Sequence, residues 1–475
     1  MSRDNAIQRA QRHFDSGAFQ RQLARQVALR TESQKPGCLP QLQAYLDQLI
    51  VPQLQEMGFR CRVIDNPVSG AGPFLLAERI EDSALPTMLT YGHGDTVNGY
   101  DEQWRSGLSP WTLTVDGDRW YGRGIADNKA QHAINLAALA QVLQARGGRL
   151  GFNAKVLLEM GEEAGSPGLH AVCAQERAAL AADVFIASDG PRLAAHEPTV
   201  FLGSRGAMNF DLSLSLRQGG HHSGNWGGLL RNPGIRLAHA IASIVDARGR
   251  ILVPGLLPPP LTPAVRDALR DILVGTDADA PEIDRDWGEP GLSPTERLFG
   301  WNSIEVLAFK TGNPDAPVNA IPAHARAHCQ IRYVVDSDRT RFIEHLRRHL
   351  DAHGFTDVAV AQNGAEAIAT RLDPQDPWVR WCLDSIGRTT GRPARLLPNL
   401  GGSLPNDAFA DVLGLPTLWV PHSYPGCSQH APDEHVLASV TREALCLMTG
   451  LFWDLGERRK AQREHLDVHV PTEAA

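Results

Sequence analysis

Hydrophobic and polar positions follow two different rhythms along this chain. In the first, short continuous apolar runs stop at a glycine or proline next to charged or polar groups. Runs at 87–91, 152–160, 182–187 and 415–420 have this form, and each reads as a buried strand. They end at Gly92, at Gly161-Glu162-Glu163, at Ser188-Asp189-Gly190 and at Pro421-His422. Between them lie helical patterns, clearest over 130–145, where Ala, Leu and Gln dominate until Gly147-Gly148 stops the helix. Strands alternating with helices predict an α/β fold built on a mostly parallel sheet. In such sheets functional groups collect at the carboxyl ends of the strands.

The second rhythm starts near Ser204. Residues 209–216 alternate polar and apolar, as a half-buried antiparallel strand does. A helix follows, with Asn232 as its cap, Pro233 at its first position and Leu237, Ile241 and Ile244 on one face. Residues 327–335 read as another strand. Residues 338–353 read as a helix, with Phe342, Leu346 and Leu350 at four-residue spacing and Gly354 as its stop. The five prolines of 254–263 predict a loop. The expected organisation is a catalytic domain formed by 1–203 and 373–475, with an α+β module inserted at 204–372. Residues 456–475 read as a polar, frayed tail.

The bulk numbers narrow the picture only a little. A chain of 475 residues exceeds what one core supports, so more than one domain is expected. A net charge of −8 argues against nucleic acid, which selects a basic face. No apolar run is long enough to span a bilayer, and the first twenty residues lack the apolar core of a signal peptide. Seven scattered cysteines form neither a disulfide framework nor a C-x-x-C pair, so a reducing cytoplasm is the expected compartment. Cys427 is close enough to His430 to be a thiol ligand, although oxygen and imidazole groups already suffice.

Candidate chemistry sits where the strands end. His93 and Asp95 lie in G-H-G-D, Asp127 in R-G-I-A-D-N-K, Glu162 and Glu163 in E-M-G-E-E-A-G-S, Asp189 in S-D-G, and His430 in H-A-P-D-E. Each has an ordinary reading. Asp127 precedes a helix and could cap it. Glu162-Glu163 could be a solvated turn, Asp189 a turn residue, and His430 a loop histidine. Jointly they read as a two-metal hydrolase centre, since carboxylates and imidazoles are costly to desolvate without a partner. Asp95 could orient His93 by accepting its second N–H. Adjacent glutamates point apart, so one can bind metal while the other moves protons.

The set G-H-G-D, Y-G-R-G-x-x-D-N-K, E-x-x-E-E-x-G-S, S-D-G, H-S-G-x-x-G-G, N-A-I-P, G-G-S-x-P and H-A-P-D-E spans residues 92–434. It resembles the co-catalytic dinuclear metallopeptidases that include carnosinase-type dipeptidases, aminoacylases and acetylornithine deacetylase. The Glu-Glu-Ala-Gly-Ser segment, His222-Ser223-Gly224 and Gly401-Gly402-Ser403-Leu404-Pro405 are most similar to the carnosinase-type branch. Asn128 departs from it, standing where that branch usually has a second Asp.

The resemblance implies roles residue by residue. Asp127 would bridge two metal ions, with His93 and Asp189 completing one site and Glu163 and His430 the other. Glu162 would be the general base. His222, on the inserted module, would contact the transition state. Asn319 and Arg332 would bind substrate, Arg332 at its terminal carboxylate, and Gly402 and Ser403 would line the pocket through backbone groups. An arginine on a strand serves equally well in a structural ion pair, and that reading of Arg332 stays open. The resemblance also implies a cis Asp127–Asn128 peptide and a homodimer formed through the inserted module. It implies that His222 serves the neighbouring subunit's site.

Imidazole and carboxylate ligands suit zinc, with manganese or cobalt possible. Bridged ions are expected about 3.5–4 Å apart. The expected activity is hydrolysis of an amide bond in a dipeptide or short peptide. The alternatives are an N-acyl amino acid deacylase, which would differ only in its pocket, and an inactive binding protein that keeps the fold.

Overall fold

The computed structural model describes residues 2–276 and 281–458. Its largest sheet has eight strands, in the order Arg60–Ile64, Phe74–Arg79, Asn153–Glu159, Thr87–His93, Val184–Ala187, Thr417–Trp419, Thr199–Phe201 and Arg395–Leu397. Four of the pairings are parallel: Thr87–His93 with Asn153–Glu159 and with Val184–Ala187, Val184–Ala187 with Thr417–Trp419, and Thr199–Phe201 with Arg395–Leu397. The four strands expected from continuous apolar runs are all present, with ends shifted by up to two residues: the first runs on to His93, and the other three are shorter than expected.

Helix Ala130–Ala145 is buried nearly all round and lies between the sheet and helices Arg3–Asp15 and Ala438–Glu457. The N-terminal helix had been invisible because its buried face is only Ala6 and Ala10 in an otherwise polar stretch. The frayed tail expected from 456 needs correcting at its start, since Glu457 still ends the last helix, held by packing of its apolar face. The rest of that tail, from 459, lies outside the described residues.

A second, four-stranded antiparallel sheet takes up the alternating segment. Its strands are ordered Ser303–Thr311, His324–Tyr333, Gly206–Ser215 and Ala359–Gln362. The strand expected at 209–216 begins three residues earlier, and the one expected at 327–335 runs from His324 to Tyr333. In both, alternation simply continues past the expected start. Met208, Phe210, Leu212 and Leu214 point to a separate core shared with Leu237, Phe342, Leu346 and Leu350. The Asn232 side chain caps helix Pro233–Ile244 by accepting from the N–H groups of Gly234 and Ile235. The helix expected over 338–353 is Phe342–Ala352, preceded by a 3₁₀ turn. The proline-rich loop contains one 3₁₀ turn, Pro254–Leu256, and Pro263 opens the helix Pro263–Leu269, as proline does at a first helical position.

Beneath the strand ends of the large sheet, aromatic rings pack as one cluster. Phe185 stacks on Phe409 with centroids 4.3 Å apart and meets Trp419 edge-on at 5.1 Å. Tyr91 lies 5.0 Å from Phe409, and its hydroxyl donates to Glu159 Oε1, which also accepts from Ser166 Oγ. Core packing thereby reaches the loop that bears Glu162 and Glu163. Phe185 is fully buried, so Phe185→Ala is expected to lower unfolding stability by about 3–5 kcal/mol in urea titration. A change below about 1 kcal/mol would show that the cluster is not a close-packed core.

Candidate metal centre

His93 closes its strand inside a glycine-flanked turn, and packing explains the glycines. A Cβ on Gly92 would lie 2.5 Å from the Cβ of His132, and one on Gly94 would lie 2.5 Å from the Tyr45 ring. The His93 imidazole is fully buried. Its Nε2 lies 2.9 Å from Asp127 Oδ1 and 3.7 Å from Asp189 Oδ2. Its Nδ1 lies 3.2 Å from the Asp95 carbonyl and 3.4 Å from Asp95 Oδ1. Asp95 thus faces the second ring nitrogen, as expected. Its carboxylate also accepts the backbone N–H groups of Glu162, at 3.1 Å, and Glu163, at 3.0 Å.

Asp127 does not cap helix Ala130–Ala145, whose N-cap position is Lys129. Its backbone is extended, at φ −135° and ψ 92°, and the Asp127–Asn128 peptide is cis. The two carboxylate oxygens face different groups. Oδ1 meets His93, whereas Oδ2 lies 3.0 Å from His430 Nε2 and accepts from Gln429. His430 in turn lies 3.2 Å from Glu163 Oε2. Asn128 knits the neighbouring strand ends by donating to the Ser188 carbonyl at 2.8 Å and accepting the His93 N–H at 3.4 Å.

Two clusters result: His93, Asp127 and Asp189, and then Asp127, Glu163 and His430. In each, the ligand atoms lie within 4.8 Å of one another. The donor chemistry fits divalent cations, and Asp189 Oδ2 is buried without a hydrogen-bond partner. Charge crowding shows in the titration of these groups. Burial, then the Asp127 charge, pushes Asp189 up to about 6 and Glu163 up to about 7. Bonds to Asp127 and Glu163 push His430 up to about 10. Burial opposes the charge on His93, yet Asp127 and Asp95 hold it well above the usual range. Glu162 stands at the edge of the clusters, and burial, together with the nearby carboxylates, raises it well above the ordinary range.

Of the remaining predicted residues, Arg332 lies on the second sheet, His222 on a separate two-stranded ladder, and Asn319, Gly402 and Ser403 outside strands. Arg332 Nη1 donates to Ser403 Oγ at 2.8 Å and its Nε donates to Gln330. Arg332 makes no ion pair among the described residues, so the structural-pair reading finds no partner. Gly402 presents its carbonyl to the N–H of Arg205. The Ser403 side chain, however, faces Arg332, where only backbone groups had been expected. His222 pairs in register with Ala320 in a two-stranded ladder, and Ser223 N–H donates to the Asn319 carbonyl at 2.9 Å. His222 is exposed. Among the described residues, no hydrogen bond or ion pair joins His222 or Asn319 to the clusters. Cys427 is buried and unpaired; it belongs to neither cluster.

Sequence reasoning missed the supports. Glu434 accepts from the N–H groups of Gly124, at 2.9 Å, Ala126, at 2.8 Å, and Asp127, at 3.2 Å, and pairs with the fully buried Arg123 at 2.7 Å. Both residues lie inside motifs noted above, which was the available signal. Gln429 and Arg205 carried none. Burial, then the like charge of Arg332, pulls Arg205 down to about 10.

Residues 89–453 match the sequence profile of peptidase family M20/M25/M40. The chain is 31% identical over 320 residues to the Beta-Ala-His dipeptidase of Mus musculus, covering 64% of this chain and 62% of that protein. It is 26% identical over 372 residues to the Cysteinylglycine-S-conjugate dipeptidase of Corynebacterium striatum, covering 75% of this chain and 77% of that one. The match thus spans less than two thirds of the mouse protein's length. Among solved structures, an M20 family metallo-carboxypeptidase from Sulfolobus solfataricus superposes with a TM-score of 0.77. It covers 93% of this chain and 99% of its own at 23% identity, a likeness of fold.

Because Asp127 belongs to both clusters, chain loaded with divalent cations is expected to hold two ions by elemental analysis. His430→Ala should hold one, and Asp127→Asn fewer than one. Two ions retained by Asp127→Asn would refute the shared ligand.

Proposed function

This chain belongs to peptidase family M20/M25/M40, and from that premise we propose that it is a dinuclear metallopeptidase hydrolysing the amide bond of a dipeptide. The observation that carries this reading is Asp127, whose two oxygens face two separate ligand clusters with Glu162 at their edge. The relatives named above are dipeptidases, which favours a dipeptide over an N-acyl amino acid. The full set of ligand types argues against an inactive scaffold.

His93 and Asp189 would hold one ion, Glu163 and His430 the other, and Asp127 both. Zinc suits the donors best, with manganese or cobalt chemically admissible. Two such cations supply Lewis acidity that makes water acidic at neutral pH and polarises the scissile carbonyl. Glu162 takes a proton from the attacking water on a carboxylate oxygen and delivers it to the departing amine nitrogen. Asp95 fixes that base by holding the Glu162 N–H. Arg332 pairs its planar guanidinium with the terminal carboxylate of the substrate. Asn319, Gly402 and Ser403 line that end of the substrate. His222 donates to the tetrahedral oxyanion.

We further propose that the protein works as a homodimer. Strand Ser303–Thr311 is an edge of the second sheet, and Val306, Leu307 and Phe309 on it are 42%, 54% and 43% exposed. A bare apolar edge is a template for pairing with a second copy. The exposed His222, unattached to its own clusters, would then serve the neighbouring subunit. Seven unpaired cysteines suit a reducing compartment, and we place the protein in the cytoplasm. Among the described residues, no helix is long and apolar enough to cross a membrane.

Glu162→Gln is expected to lower kcat on dipeptides by about 10²–10⁴-fold with metal content unchanged. Turnover of N-acetyl amino acids but not dipeptides would replace the substrate assignment. Phe309→Asp should shift sedimentation toward the monomer. Mixing the inactive variants His222→Ala and Glu162→Ala should restore activity; no recovery after demonstrated subunit exchange would make each site self-contained.

A further inference from the structure

The chain crosses from the large sheet to the second one over residues 202–205, between strands Thr199–Phe201 and Gly206–Ser215. This crossing is stitched to loop 400–404, which carries Gly402 and Ser403. Gly203 accepts the Leu400 N–H at 2.8 Å, and Ser204 Oγ accepts the Leu404 N–H at 3.2 Å. Residue 205 is the centre of the stitching. Its N–H is shared between the carbonyls of Leu400 and Gly402, 3.1 Å from each. Its Nε donates to the Gly401 carbonyl at 2.8 Å, and its own carbonyl accepts the Ser403 hydroxyl at 2.7 Å.

That last bond decides which way Ser403 works. A hydroxyl has one proton and two lone pairs. With the proton committed to the Arg205 carbonyl, only a lone pair remains for Arg332, whose Nη1 donates to it at 2.8 Å. The order of donors runs from Arg332 through Ser403 to Arg205. Paired glycines at 401 and 402 give the loop no stiffness of their own, so its shape must be imposed from outside. The Arg205 guanidinium, 7% exposed, imposes it by bonding Gly401 sideways through Nε. A lysine ammonium at the end of a flexible stem lacks that lateral donor.

We propose that Arg205 is a positioning residue: it sets the Gly401–Ser403 loop and, through the Ser403 hydroxyl, orients the guanidinium of Arg332 toward the terminal carboxylate of the substrate. The ligand named here rests on the dipeptidase reading; the positioning does not. Backbone hydrogen exchange over 400–404, and KM and kcat for a dipeptide and for its C-terminal carboxamide, should be measured in metal-loaded wild type, Arg205→Lys and Arg205→Met. Both variants are expected to exchange the amides of Leu400 and Leu404 at least about tenfold faster than wild type. Both should raise KM for the free-acid dipeptide about tenfold or more, with kcat within about threefold. Constants for the carboxamide should move less than about threefold. Wild-type exchange and KM in Arg205→Lys would overturn the proposal, as would losses shared equally by acid and carboxamide. Should Arg205→Met not fold, Arg205→Lys carries the same comparison. If wild type cleaves no dipeptide, the substrate reading fails, and the exchange measurement still decides the positioning of the loop.

Discussion

The site depends on one carboxylate that must serve two neighbours at once. Asp127 is almost wholly buried, and its oxygens lie 2.9 Å from His93 and 3.0 Å from His430. A buried carboxylate is stable only where hydrogen-bond donors or cations face its oxygens. Neither histidine is near it in sequence. The fold must therefore bring the end of one strand and a loop more than three hundred residues later to the two faces of one side chain. Glu434 provides much of that constraint. It holds the backbone leading into Asp127 with three N–H bonds, and it comes from the same loop as His430. One buried ion pair, with Arg123, thus keeps the Asp127 turn and the His430 loop in register.

The large sheet supplies the rest by ending its strands together. His93, Asp189 and the Glu162-Glu163 turn all follow neighbouring parallel strands, so their side chains emerge on one edge. Crowding that many acids on one edge is unfavourable in itself, as the upward displacement of Asp189, Glu163 and Glu162 records. The cost is held in place by packing from below. Tyr91, inside the aromatic cluster, reaches Glu159, and Glu159 reaches Ser166 beyond the glutamate turn. Core and site are joined by these two hydrogen bonds.

Much of this was legible in the sequence, for a physical reason. A buried parallel strand must be apolar throughout and must stop abruptly, so 87–91 and 182–187 announced both a strand and the chemistry at its end. The alternating segment after Ser204 announced a sheet with one wet face in the same way. What remained hidden has no local signature. Helix Arg3–Asp15 buries only alanines, so its apolar face is too weak to stand out. Asp127 taken alone looked more like a cap than a ligand, because the partners of its two oxygens, His93 and His430, lie far from it in sequence. The strand pattern gave Arg332 a place but no partner, since Ser403 is 71 residues away. Arg205 was unreadable, since the loop that its guanidinium and carbonyl meet lies almost two hundred residues away in sequence.

The two sheets divide the labour. One edge of the large sheet gathers the metal-type ligands, while the second sheet carries Arg332, His222 lies on the short ladder, and Asn319 directly precedes that ladder's other strand. A substrate held at its carboxylate by Arg332 and cleaved beside Asp127 must touch both units at once. Its fit then depends on how the chain passes between them. Loop 400–404 belongs to the large sheet's part of the chain, yet it is bonded residue by residue to the crossing at 203–205. On the proposed reading, the distance from base to carboxylate anchor would depend on the main-chain and side-chain hydrogen bonds at this crossing. On that reading, a site built this way would keep the span from cleaved bond to terminal carboxylate constant while its pocket walls vary.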